Sequence, residues 1–211
     1  MSFSIDHVAW SKEIDDRPGT LLVVALHGRG ANEDSMIGLV PYLPTNVTVA
    51  ALRAPLGGAD SYAWFENRGI GRPVEESIKA VGEGIFDWLE SVKSQHTGVV
   101  LLGFSGGTAM AGGLLFTKPE QFSGAILLSG TLPWDAGFDS AQDRFKGIPI
   151  FWANDRADQV IPNELVARSE AWLVNESGAD LHEHHYDGID HSISLLELKD
   201  IQKFINSLQN T

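Results

Sequence analysis

Apolar residues gather along this chain in two rhythms. The first is the unbroken run of strand length: residues 20–26, 47–52, 98–104, 124–130 and 148–153. A run without polar alternation fits a strand buried on both faces of a sheet. The second is a spacing of three and four. Val74, Ile78, Val81, Ile85, Trp88, Leu89 and Val92 predict an amphipathic helix of about six turns. Leu165, Ser169, Trp172, Leu173 and Glu176 fit one side of another, ending near Gly178, and Ile193, Leu196, Ile201, Phe204, Ile205 and Leu208 mark a last one. A short helix fits Ser35 to Leu43 before Pro44, and Thr108-Ala109-Met110-Ala111 opens a further helical pattern. Residues 3–10 alternate loosely and predict an edge strand, while Leu181 to Tyr186 reads as a more polar strand near the other edge.

Strands and helices alternate throughout. That predicts an α/β fold with a mainly parallel, doubly wound sheet and helices on both faces. No repeat, linker or low-complexity tract interrupts it, so residues 1–211 read as a single domain. Two stretches carry neither rhythm: 56–73, rich in glycine and aromatics, and 131–147, with Pro133, Trp134 and Phe138. Loops of that length are usually functional.

Composition narrows the function classes. Net charge is −13, which argues against nucleic acid and anionic membrane surfaces as partners. The absence of cysteine removes a thiol nucleophile, disulfides and thiolate metal sites. No basic region followed by an apolar run opens the chain, and no stretch has the length of a membrane span, so a cytoplasmic protein is the default expectation.

The chemistry centres on Gly103-Phe104-Ser105-Gly106-Gly107, which ends a buried strand and opens a helix. In that context Gly-x-Ser-x-Gly reads as a nucleophile elbow, a sharp turn that lifts the serine Oγ above the sheet. A glycine-rich turn with a helix-capping serine has the same local sequence. The rest of the chain decides between them. Serine needs a base to take its proton and a third group to hold that base. Asp158 and His191 also follow predicted strands, and loops at the carboxyl edge of a parallel sheet can meet. The order Ser…Asp…His is that of α/β-hydrolases. Asp155 is the rival acid, three residues earlier; Asp158 is favoured by the hydrophobic segment that follows it. His27, in a His-Gly loop after an early strand, reads as a residue that shapes that loop. His182, His184 and His185 read as part of a polar edge strand rather than a metal site. His7 and His96 read as surface positions. Oxyanion donors are expected from the backbone N–H groups of Gly106 and Arg29. The Arg29 side chain is left free to meet a substrate anion or the acidic Glu33 and Asp34. Trp64, Phe65 and Trp134, with Phe138, are expected to wall an apolar acyl pocket.

These residues resemble the phospholipase/carboxylesterase family of serine α/β-hydrolases, which includes acyl-protein thioesterases and small bacterial carboxylesterases. The resemblance covers nearly the whole chain. It rests on Leu26-His27-Gly28-Arg29-Gly30, Arg53-Ala54-Pro55 with Trp64-Phe65, Gly103 to Gly107, Leu128-Ser129-Gly130, Asp158 to Pro162, and Tyr186-x-Gly188-x-x-His191. It implies the α/β-hydrolase fold without a large cap domain and esterase activity on acyl esters. It also implies no metal or organic cofactor. The partner expected is a small-molecule ester or thioester; a homodimer is left open. Two positions depart from the family pattern: Gly106-Gly107-Thr108 replaces Gln and two glycines after the serine, and Asn154-Asp155 stands where His-Gly is frequent. Thioesterase or lysophospholipase activity with the same machinery, and a non-catalytic binding protein on the same fold, stay as alternatives.

Overall fold

A computed structural model describes residues 3–209. In chain order the elements are β1 (Val8–Trp10), β2 (Leu21–Leu26), α1 (Glu33–Ile37), β3 (Val47–Leu52), β4 (Leu56–Gly58), β5 (Ser61–Ala63), α2 (Glu75–Val92), β6 (Gly98–Phe104), α3 (Gly106–Thr117), β7 (Gly124–Leu128), β8 (Pro149–Asp155), α4 (Asn163–Asn175), β9 (Asp180–Tyr186) and α5 (Leu195–Leu208). Seven strands form one sheet in the order β1-β3-β2-β6-β7-β8-β9. Only β1 runs antiparallel to its neighbour; β3, β2, β6, β7, β8 and β9 are parallel.

The continuous apolar runs are explained by what lies on each face. In β2, Leu22, Val24 and Leu26 point to one core and Leu21, Val23 and Ala25 to the other, and all six are buried. The first core is closed by α2, α3 and α4, through Ile78, Ile85, Met110, Leu114 and Trp172. The second is closed by α1 and α5, through Met36, Ile201 and Phe204. The polar edge strand β9 has exposed or half-buried positions until Tyr186, as its composition predicts.

The chain leaves β2 towards β3 and then crosses back to β6 on the other side. The carboxyl ends of β2 and β6 therefore flank a switch point, where open α/β sheets bind ligands. Both catalytic candidates of the first half, the Arg29 loop and Ser105, leave the sheet there.

Several expectations are adjusted. The edge strand is three residues long. The segment 35–43 splits into α1, which starts at Glu33 under an Asn32 side-chain cap, and a 3-10 turn at Val40–Tyr42 containing Pro41. The α2 helix has 18 residues, five turns rather than six. The stretch 56–73 is not structureless: it holds the β4–β5 hairpin and a bridge between Asn67 and Pro73. Helix α3 shows no polar face because the sheet, α2 and the 131–147 segment cover it on all sides. Its Gly112 and Gly113 lie against Leu132 and Phe138 of that segment. Among the described residues no large cap stands over the sheet edge.

Candidate active site

The elbow is built from missing side chains. A Cβ at Gly103 would sit 2.5 Å from the Gly107 carbonyl oxygen, and one at Gly107 would overlap the Leu26 carbonyl of β2. Strand β6, helix α3 and strand β2 can approach this closely only with glycine at both positions. Ser105 between them has φ 55° and ψ −114°, a strained conformation for a non-glycine residue. Its N–H donates to Leu128 O at 3.0 Å. Thr108, part of the first departure from the family pattern, has a structural account. Its hydroxyl lies 2.8 Å from Gly103 O and 2.7 Å from Leu128 O and accepts from Leu128 N–H at 3.1 Å, which stitches α3 to β6 and β7.

Ser105, His191 and Asp158 meet at the carboxyl edge. His191 Nδ1 lies 2.8 Å from Asp158 Oδ2, and His191 Nε2 lies 2.9 Å from Ser105 Oγ. A carboxylate can only accept, so Nδ1 carries the proton and Nε2 keeps a lone pair for the serine hydroxyl. Asp158 is 6% exposed. Its second oxygen, Oδ1, accepts from the Val160 and Ile161 N–H groups at 2.7 and 3.0 Å. The carboxylate is thus fixed by main chain on one side and presented to the imidazole on the other.

The rival Asp155 has a different position. Its Oδ1 accepts from Ala157 N–H at 2.6 Å. Its Oδ2 accepts from the N–H of Ile189 and, at 2.8 Å, of Asp190, in the loop that carries His191. Burial pushes this carboxyl up, but the converging N–H groups of Ala157, Ile189, Asp190 and Gly188 outweigh it and hold it below the usual range. Asp190 returns the tie by accepting Gln159 N–H at 3.1 Å. The acid loop and the histidine loop therefore clamp each other through two carboxylates. Sequence reading missed this brace; two aspartates flanking the acid and base at turn positions were the available signal.

On the β2 side of Ser105, His27 is fully buried. Its Nδ1–H donates to Gly28 O at 2.7 Å and its Nε2 accepts Ala54 N–H at 3.1 Å. Burial lowers its pKa, so it is a neutral loop-shaping residue, as read from the sequence. Gly106 opens α3, and its N–H has no carbonyl one turn back. A Cβ at Gly106 would lie 3.3 Å from the Arg29 nitrogen, so the Gly106 and Arg29 main chains run in close contact. The Arg29 guanidinium donates to Phe65 O at 2.7 Å. Glu33 instead takes Arg53 in a bidentate pair, which holds the Glu33 carboxyl below its ordinary range.

A cleft of about 300 Å³ opens over Ser105, lined by Arg29, Phe65, Ile70, Ala109, Val160 and His191 among others. Phe65, expected to wall the acyl pocket, lines this cleft. Trp64 and Trp134 do not. Trp64 is 2% exposed under the Arg29 loop and donates its indole N–H to His27 O at 2.8 Å. Trp134 packs against Phe116 and Trp172 and donates to Ser169 Oγ at 3.1 Å. A polar indole N–H drew each ring to an interior acceptor. Ile70 and Val160, 45% and 43% exposed at the mouth, had no periodic signal to mark them. His96 is half-buried rather than superficial, with Nδ1 3.2 Å from Thr20 O.

A family model described as Phospholipase/Carboxylesterase matches residues 13–209. The chain belongs to the phospholipase/carboxylesterase family. It is a carboxylic ester hydrolase of the α/β-hydrolase fold by that membership. Among curated relatives, an acyl-protein thioesterase 1 of Kluyveromyces lactis is 24% identical over 90% of this chain and 92% of its own length. The carboxylesterase SOBER1 of Arabidopsis thaliana is 27% identical over 70% of this chain and 68% of its own. A Bacillus cereus carboxylesterase structure superposes with a TM-score of 0.79 at 20% identity, covering 95% of this chain and 93% of its own. Among the described residues, no helix of this family member is long and apolar enough to cross a membrane.

Proposed function

We propose that this family member is a serine carboxylesterase that hydrolyses acyl esters through Ser105, His191 and Asp158. The observation that carries the reading is the placement of His191 between Ser105 and Asp158, at 2.9 and 2.8 Å, by residues far apart in the chain. Ser105 Oγ attacks the ester carbonyl as His191 Nε2 takes its proton. Asp158 holds the imidazole in the tautomer that can accept and stabilises the imidazolium that forms. The N–H groups of Arg29 and Gly106 receive the developing oxyanion. His191 then protonates the leaving alkoxide, and water, deprotonated by the same imidazole, hydrolyses the acyl-enzyme. Phe65, Ile70 and Val160 offer an apolar surface to the acyl group. A thioesterase would use the same atoms with a thiolate leaving group, and the Kluyveromyces lactis relative's name supports keeping that reading.

A fluorophosphonate probe is expected to label Ser105 and no other residue, with labelling lost in His191→Ala. Turnover of p-nitrophenyl acyl esters should exceed that of acyl thioesters of equal chain length. No labelling and no turnover of either class would overturn the catalytic reading. Preference for the thioester would move it to the thioesterase reading.

A further inference from the structure

The α4 side of the β8–β9 edge carries a cluster that the reaction above does not use. Glu170 on α4 and Glu183 and His185 on β9 bring two carboxylate oxygens and one imidazole nitrogen within 4.8 Å of one another. His185 lies between the acids, with Nε2 3.0 Å from Glu183 Oε1 and Nδ1 3.8 Å from Glu170 Oε1. The Trp152 indole N–H donates to the same Glu170 oxygen at 3.1 Å and orients that carboxylate. Sequence reading gave His185 to a polar edge strand and not to a metal site, because Glu170 arrives from a different element.

A second observation points to a ligand. The cluster opens onto a cavity of about 340 Å³ whose lining includes Glu170, His185 and Asn154. Asn154 is the register partner of His185 on the neighbouring strand, so their side chains share a face. It is 4% exposed, and neither its amide oxygen nor its amide nitrogen has a hydrogen-bond partner among the described residues. A buried amide left unpaired is destabilising, and a bound ion is one of the few things that explain it in a native structure.

The donor set selects the ligand class. One imidazole and two carboxylates, with the Asn154 amide on the same sheet face and lining the same cavity, offer up to four N/O donors. Imidazole favours transition cations over Mg²⁺ and Ca²⁺. We infer that Glu170, Glu183 and His185 bind a divalent cation of the zinc class, with the Asn154 amide oxygen as the fourth, buried donor. The cation would fasten β9 to β8 and α4, one residue from Asp155 and its brace on the histidine loop.

The test uses the full chain stripped with a chelator and titrated with ZnCl₂ by calorimetry, with parallel thermal melts. One saturable equivalent and a raised Tm are expected, with no effect of Mg²⁺ at equal concentration. Glu170→Gln and His185→Ala should each lower the Zn²⁺ affinity at least about tenfold, the scale reached by loss of even an outer-shell partner. Glu183→Gln, on the more exposed strand, serves if Glu170→Gln does not fold. The opposite face of β9 presents His182 and His184 beside Asp200, a rival surface for zinc. The double variant His182→Ala/His184→Ala should bind as the parent does. Asn154→Leu should lower affinity without lowering the metal-free Tm. The inference is overturned by absent saturable binding, or by binding that follows His182 and His184 instead. Unchanged affinity in Asn154→Leu would remove the fourth donor.

Discussion

The two halves of the candidate active site are held by opposite means. On the β2–β6 side, position comes from what is missing. Gly103 and Gly107 let three backbone segments approach until no Cβ fits, and the compression leaves Ser105 in a strained turn. On the β8–β9 side, position comes from carboxylates. Asp158, Asp155 and Asp190 each accept main-chain N–H groups and turn two loops into one clamp. The difference is physical. Near the centre of a doubly covered sheet, steric exclusion is available and unpaired polar groups are costly. At the sheet edge, loops lack packing on one side, so charge-assisted hydrogen bonds replace it.

Substitutions can break this contrast. Ser105→Ala is expected to lower kcat/KM by about 10⁴–10⁶-fold with little change in Tm, measured with a p-nitrophenyl ester. Asp158→Asn should cost about 10³–10⁴-fold in kcat. Its amide oxygen can keep the Val160 and Ile161 N–H groups only by turning NH₂ towards His191, which forces the imidazole into the wrong tautomer. Retention of activity in Asp158→Asn would show that the carboxylate does not set the histidine. On the glycine side, Gly107→Ala should destabilise the fold by about 3 kcal/mol or more, because the new Cβ meets backbone and not a movable side chain. An unchanged melting temperature would refute the steric account of the elbow.

Asp155→Asn sharpens the comparison, since it touches none of the reacting groups. Its NH₂ would face either the N–H of Ala157 or those of Ile189 and Asp190, and the histidine loop should loosen. We expect about a tenfold loss in kcat and increased hydrogen exchange at residues 187–191, with fluorophosphonate labelling slowed but not abolished.

The smallest effect concerns Glu197, whose carboxylate closes a capping box with Ser194 at the start of α5. Burial, reinforced by the nearby Asp155 charge, pushes its pKa up to about 7. The folded state therefore binds the proton more tightly than the unfolded chain does. Its contribution is fully present below about pH 4.5 and is lost as pH rises through about 7. Glu197→Gln keeps the box and removes the titration. Its stability should stay flatter across that window and exceed that of the parent by about 1 kcal/mol at pH 8, below the ceiling of about 3 kcal/mol that 1.36 kcal/mol per pH unit sets. A parallel pH profile of Tm in both proteins would count against a buried, proton-binding Glu197.

The one-dimensional pattern was enough for the sheet and for the addresses of the chemistry. Continuous apolar runs alternating with three-and-four spacing leave few arrangements besides a parallel sheet covered on both faces. In such a sheet every strand ends on the same rim, so Ser105, Asp158 and His191 were placed on it by chain order alone. The sequence favoured Asp158 over Asp155 through the hydrophobic segment that follows it, but what each carboxylate meets was decided by tertiary structure: Asp158 Oδ2 faces His191 Nδ1, while Asp155 Oδ2 takes the Ile189 and Asp190 N–H groups. The same holds for Trp64 and Trp134, whose indole N–H groups found acceptors beneath the loops, for Arg29, which went to Phe65, and for Glu170, which joined His185 from another element. A residue's period reports which layer it faces. Its hydrogen-bond partner is set by distant backbone brought near, and no local pattern encodes that.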